Sequence, residues 1–123
     1  MALPRLRCRG HNMPDDAAEV LLVFSGFPDA ASAQQVAGQL VESRLAACVS
    51  VMAPCVSTYR WQGAVEQATE VPVVIKTTAR QYPELEAALR ARHPYELPEI
   101  VAVPLAQGLP SYLAWVSAET GGN

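Results

Sequence analysis

Apolar positions switch along this chain between a near-continuous spacing and a helical one, and the switches mark out its elements. Val20-Leu21-Leu22-Val23-Phe24 is an apolar run without alternation, which suits a central strand covered on both faces. Ser25-Gly26-Phe27-Pro28-Asp29 then breaks the pattern. Ser32 and Gln35 stand at capping-box spacing, with Asp29 as the competing cap, so a helix is expected to start here. Ala33, Val36, Ala37, Leu40, Val41 and Leu45 recur at helical spacing and predict its buried face, while Gln34, Gln39, Glu42 and Ser43 face water.

Strand character returns at Cys48-Val49-Ser50-Val51-Met52, where Pro54 removes a backbone donor. That strand is therefore expected to be bent, bulged or at an edge, an edge being the simplest choice. Ser57-Thr58-Tyr59-Arg60-Trp61 continues it, Gln62-Gly63 supplies a tight turn, and Ala64-Val65-Glu66 leads back into Val71 to Thr78. The result is a hairpin with arms Ala46 to Trp61 and Ala64 to Thr78. Arms well beyond the usual strand length of about 5 or 6 residues must project past a small body.

Pro83 opens a second helix with Leu85, Ala88 and Leu89 turned inward, and His93-Pro94 ends it. Glu99-Ile100-Val101-Ala102-Val103 reads as a fourth strand bounded by Pro98 and Pro104, again at an edge. Gly108 and Pro110 introduce a short helix carrying Tyr112, Leu113, Trp115 and Val116. The order β-α-β-β-α-β plus a terminal helix predicts an α+β, ferredoxin-like fold with a long hairpin between the second and third strands. Right-handed crossovers make the first and third strands neighbours. The domain is expected to span residues 19–119, with 1–18 a flexible tail and 120–123 a frayed end.

Length and charge narrow the partners. A chain of 123 residues has room for one core. Arg5, Arg7 and Arg9 precede every acidic residue, and setting them aside leaves six basic against twelve acidic residues. So acidic a body argues against nucleic acid. No apolar run approaches the ~20 residues of a membrane span, and no secretory signal is visible, so a cytoplasmic address is expected. Either Met1 or Met13 suits a native start.

Candidate chemistry is sparse. Three cysteines, Cys8, Cys48 and Cys55, read as reduced thiols, and the odd separation of Cys48 and Cys55 places them on opposite faces of an unbroken strand. No phosphate-binding glycine loop or zinc spacing occurs. His93 is open to two readings: a metal ligand or proton shuttle, or a structural group at a helix end. In the second reading the helix dipole favours its cationic form. Lys76, the sole lysine, calls for a partner such as Glu99 or Glu70, or a ligand. Tyr59 and Trp61 read either as interface anchors or as a simple cover for the hairpin, and the projection of the arm favours anchors.

Several motifs in order resemble one family. Leu45-Ala46-Ala47-Cys48, Tyr59-Arg60-Trp61-Gln62-Gly63, Ile75-Lys76-Thr77-Thr78, His93-Pro94-Tyr95-Glu96-Leu97-Pro98-Glu99-Ile100 and Tyr112-Leu113-Ala114-Trp115 are similar to the CutA divalent-cation tolerance proteins. The resemblance implies a homotrimer built by extended hairpins, an architecture like that of the PII signalling proteins, and an association with copper and other divalent ions. It implies no reaction. Some members carry a Cys at the end of the first strand and a His-His pair before Pro-Tyr; here Ser25 and Arg92 stand at two of those places, and only His93 carries over.

The expected function is therefore a homotrimeric binding or signalling module linked to metal tolerance, with no catalytic residues and no required cofactor. Copper is the candidate ion, with His93 and Cys48 as its candidate ligands. Intersubunit clefts are expected to take a small ligand, lined by Trp61, Lys76, His93, Tyr95 and Glu99. The alternatives are a PII-like sensor that binds no metal, and an acid/base enzyme using Lys76 or His93. An RNA-binding sheet of the same topology would need exposed aromatics on its central strands, which are aliphatic here apart from Phe24.

Overall fold

The computed structural model describes residues 19–121. Expectations for residues 1–18, including Cys8 and the arginine-rich tail, and for residues 122 and 123 lie outside it. Five strands and three helices follow in the order β1 (Val20–Phe27), α1 (Ala30–Glu42), β2 (Cys48–Val51), β3 (Cys55–Trp61), β4 (Ala64–Thr78), α2 (Tyr82–Arg92), β5 (Val101–Pro104) and α3 (Pro110–Glu119). Every pairing is antiparallel: β2, β4, β1 and β5 lie side by side in that order, and β3 pairs with the far half of β4. The two most apolar runs, β1 and the second half of β4, are the central neighbours the crossover rule predicts.

Period-two alternation decides the faces. Along β4, Val71, Val73, Ile75 and Thr77 are buried and the residues between them only half-buried. The buried set meets Leu21, Val23 and Phe27 of β1 and the inward stripes of the two long helices: Ala33, Val36 and Leu40 of α1, Leu85 and Leu89 of α2. Burying each large aliphatic side chain here contributes roughly 1.5–3 kcal/mol. Two α1 details differ from expectation. Asp29, not Ser32, is the cap, its carboxylate accepting the Ser32 amide at 2.7 Å. Val41 lies outside the core because only a narrower stripe of α1 reaches the sheet.

The first hairpin arm is both bulged and at an edge. From Val51↔Val73 to Cys55↔Glu70 that arm advances four residues and β4 only three, so one extra residue is accommodated at Met52-Ala53-Pro54. The insertion corrects the expectation for the cysteines. Cys48 pairs with Lys76 and Cys55 with Glu70, an even step along β4, so both thiols lie on the same face, roughly 20 Å apart along the strand. Beyond the bulge, β3 and β4 run on as a ribbon closed by Gln62 and Gly63, at φ 51° and 84°. Both residues in the left-handed region define a type I′ turn, whose twist matches that of the strands it joins.

α3 packs against β4 and β1. Val20 and Thr78 at that end of the sheet's second face are buried, whereas Leu22, Phe24 and Val74 further along are half-buried. The expected frayed end is held as far as it is described: the Gly121 amide donates to the Arg44 carbonyl at 2.9 Å. Among the described residues no helix is long and apolar enough to cross a membrane.

Candidate functional site

Three places carry the side chains singled out in the sequence, and they do not form one cluster. The first lies where β1 ends against the connection after α2. His93, 9% exposed, places Nε2 2.7 Å from the Gly26 carbonyl, and its Nδ1 accepts the Tyr95 amide at 3.1 Å. Because Nδ1 is an acceptor, Nε2 must be the protonated nitrogen that donates to Gly26. The ring stacks on Phe27 with centroids 4.4 Å apart and meets Tyr95 at 4.9 Å. Burial lowers its pKa below the usual 6.5, opposed by the Gly26 carbonyl and the Glu70 charge. The imidazole is therefore neutral, a correction to the helix-dipole expectation. His93 has left the helix in extended conformation, and its ring points across to β1.

Tyr95 faces Glu70. Burial raises the Tyr95 pKa above its usual 10.0, and the charge and hydrogen bonding of Glu70 push it further in the same direction, with smaller contributions from Tyr59 and Asp29. Glu70 in turn accepts the Ser57 hydroxyl at 2.7 Å. This cluster of Glu70, Tyr95, Ser57 and His93, bordered by Gly26, joins the ribbon, β1 and the post-α2 connection. The sequence marks Glu70 only as a possible partner for Lys76 and gives Ser57 no mark beyond its place in a strand. The missing signal is the bulge, which sets what faces Glu70.

The second place is the sheet face opposite the two long helices. Lys76 donates to Ser50 at 3.0 Å and approaches the Cys48 sulfur at 3.8 Å. Its partners are thus Ser50 and Cys48, a correction to the expected Glu99 or Glu70: Glu70 is six residues away along β4, and Glu99 is exposed in the connection before β5. Around Lys76 lie Leu22, Phe24 and Val74, with Val101 and Val103 of β5, 50% and 44% exposed, paired opposite Phe24 and Leu22. The third place is the ribbon, where Tyr59 is exposed and Trp61 half-buried near the tip. The structure thus unites His93 and Tyr95 but leaves Tyr59, Trp61, Lys76 and Glu99 apart from them within one chain.

The candidate copper ligands do not fit a metal. Both His93 nitrogens are engaged, so ligation would cost the Tyr95 or the Gly26 hydrogen bond. Cys48 faces the Lys76 ammonium, which repels a cation. Ser25 is 3% exposed and points into the helix-side core opposite Val73. Among the described residues no three His, Cys, Asp or Glu side chains gather as a metal centre.

An antiparallel α+β sheet in ferredoxin-like order, with one continuous strand drawn out into a ribbon, defines the class of this domain. Residues 21–119 match the family described as CutA1 divalent ion tolerance protein, and the chain belongs to that family. It is 44% identical over 103 residues to the divalent-cation tolerance protein CutA of Thermus thermophilus, covering 84% of this chain and 98% of that protein. It is 41% identical over 101 residues to Protein CutA of Mus musculus, covering 82% of this chain and 57% of the mouse protein. The crystal structure of CutA from Xylella fastidiosa superposes with a TM-score of 0.81 at 46% identity, covering 84% of this chain and 99% of that one.

Proposed function

We propose that this protein is a self-assembling binding module of divalent-cation tolerance, in which three copies join through the second sheet face and the ribbons and no covalent chemistry is performed. The observation that carries this reading is the apolar sheet face itself. Leu22, Phe24, Val74, Val101 and Val103 form a contiguous surface beside one lysine, and α3 shields only one end of it. A patch of that kind on a small soluble domain marks an interface. The ribbon supports the reading: Val56 and Val65 are 67% and 64% exposed, and β3 pairs with β4 alone. Each copy offers an exposed edge for strand addition.

Assembly supplies what one chain lacks at the ligand site. Trp61, Lys76 and Glu99 lie apart from the Tyr95 cluster within a chain, and neighbouring copies can bring them to it. The ligand is a small molecule or ion held in that cleft, and a resident metal is not required. Light scattering should give three times the 13.2 kDa chain mass, and Leu22→Glu, which places a charge in the apolar face, should give the single-chain mass with the fold retained by circular dichroism. A wild-type monomer at micromolar concentration overturns the proposal. Copper titration by calorimetry should give the same weak response for wild type and His93→Ala; a marked loss in the variant would restore His93 as a ligand.

A further inference from the structure

Glu70 stands at the joint between sheet and ribbon. Phe27↔Val71 is the last pair that β1 makes with β4, and Cys55↔Glu70 is the first pair of β3 past the bulge. At this level the other arm is interrupted by Met52-Ala53-Pro54, and Pro54 has no N–H to give a ladder. The Met52 amide, bonded to the Pro72 carbonyl at 2.8 Å, is the last backbone tie of that arm before the break. One continuous strand therefore carries the ribbon, and a two-stranded ribbon braced by backbone alone on one side is weakly fixed in direction.

The side chains around Glu70 brace it. Ser57, on the ribbon, donates to Glu70 Oε1 at 2.7 Å. The other oxygen, Oε2, lies so close over Gly26 that a Cβ there would come within 3.3 Å of it. Gly26 is not among the glycines with positive φ, so its missing side chain serves this close approach and not an unusual backbone. Tyr95, on the connection after α2, lies near enough to this carboxylate for its charge to raise the Tyr95 pKa beyond the effect of burial. Gly26 and Tyr95 belong to the body, and the same Gly26 takes the His93 bond on its carbonyl.

We propose that Glu70 is a positioning residue, a latch whose carboxylate, bonded to Ser57 on the ribbon and packed over Gly26 of the body beside Tyr95, fixes the direction in which the ribbon's free edges point. The latch is a property of the single chain and does not depend on how many copies assemble.

Hydrogen exchange read by mass spectrometry on the full chain tests it, comparing ribbon peptides (residues 55–70) with sheet peptides (residues 71–78). Variants are compared with wild type under conditions where they share the same solution mass. Glu70→Ala should speed ribbon exchange on the order of tenfold while leaving the sheet peptides unchanged. Glu70→Gln, which keeps an acceptor in place, should stay close to wild type. Tyr95→Phe, which removes only the hydroxyl on the body side, should reproduce part of the loosening. An unchanged ribbon in Glu70→Ala, equal acceleration of both segments, a Gln variant as loose as the Ala variant, or a Tyr95→Phe variant indistinguishable from wild type would each overturn the latch.

Discussion

His93 reaches back 67 residues to place Nε2 2.7 Å from the Gly26 carbonyl, and its Nδ1 accepts the amide of Tyr95, two residues on, at 3.1 Å. This pair of bonds ties the end of β1 to the connection after α2 and depends on a neutral ring: protonating Nδ1 would set a donor against the Tyr95 N–H.

A pH dependence follows, with a definite sign. The folded-state pKa of His93 lies below its ordinary 6.5, so on acidification the unfolded chain takes up the proton first. The stability contributed by this group is complete above pH 6.5 and is lost as pH falls from there through the lowered folded value. Thermal unfolding followed from about pH 7.5 to about pH 5.5 should show a falling midpoint. His93→Gln should flatten that fall, since His11 and the carboxylates are common to both proteins. Equal slopes would show that the ring does not titrate with folding.

Ser25 is the one described residue with a buried side-chain polar atom lacking a hydrogen-bond partner. It faces the helix-side core beside Val73 at 3% exposure, where a hydroxyl loses its water without replacement. Ser25→Ala is expected to raise stability by roughly 1 kcal/mol, and Ser25→Cys, a larger but softer group, to be at least neutral. Chemical denaturation with wild type alongside decides it, and a loss of stability in Ser25→Ala would reveal a partner for the hydroxyl.

The ribbon turn makes a sharper comparison. Gln62 and Gly63 both adopt positive φ, and a Cβ on Gly63 would meet nothing within 4 Å, so substitution there costs backbone energy alone. Gly63→Ala should cost about 1 kcal/mol, while Gln62→Asn, the residue the type I′ turn favours at that position, should stabilise by a few tenths of that amount. The ordering of the three melting temperatures is the readout.

What could be read in advance was what period and composition encode locally. The unbroken apolar run of β1, the inward stripe of α2 and the Gln62-Gly63 turn each specify their own geometry, so element order and central pairing were legible. The Met52–Pro54 insertion was legible only as a Pro54 irregularity. Whether a proline bends, bulges or ends a strand depends on the partner's register, and that register decided the faces of Cys48, Cys55 and Glu70. His93 was visible as a candidate, but its neutrality comes from Phe27 and Gly26, far away in sequence. Glu70 carried no local mark because its partners come from β1, β3 and the connection after α2.

Arg44 offers the last test, because its backbone and its side chain act in opposite directions. It sits just past the α1 cap at φ 65°, its amide bonded to the Val41 carbonyl at 3.0 Å and the Leu45 amide to the Leu40 carbonyl at 3.0 Å. Those two bonds form a Schellman end, in which glycine is the unstrained residue and any other costs about 1 kcal/mol. The arginine nevertheless has its own use: Nε donates to the Gly121 carbonyl at 2.7 Å and a terminal nitrogen to the Ala118 carbonyl at 2.8 Å, closing the C-terminal end of α3 with a positive charge. Arg44→Ala keeps the strain and loses the closure, for an expected cost of about 2 kcal/mol. Arg44→Gly loses the closure but relieves the strain, so it should be the milder substitution by about 1 kcal/mol. Both should raise hydrogen exchange in residues 110–121 ahead of α1, and an Arg44→Gly protein less stable than Arg44→Ala would show that the left-handed backbone at this position is not the strained element.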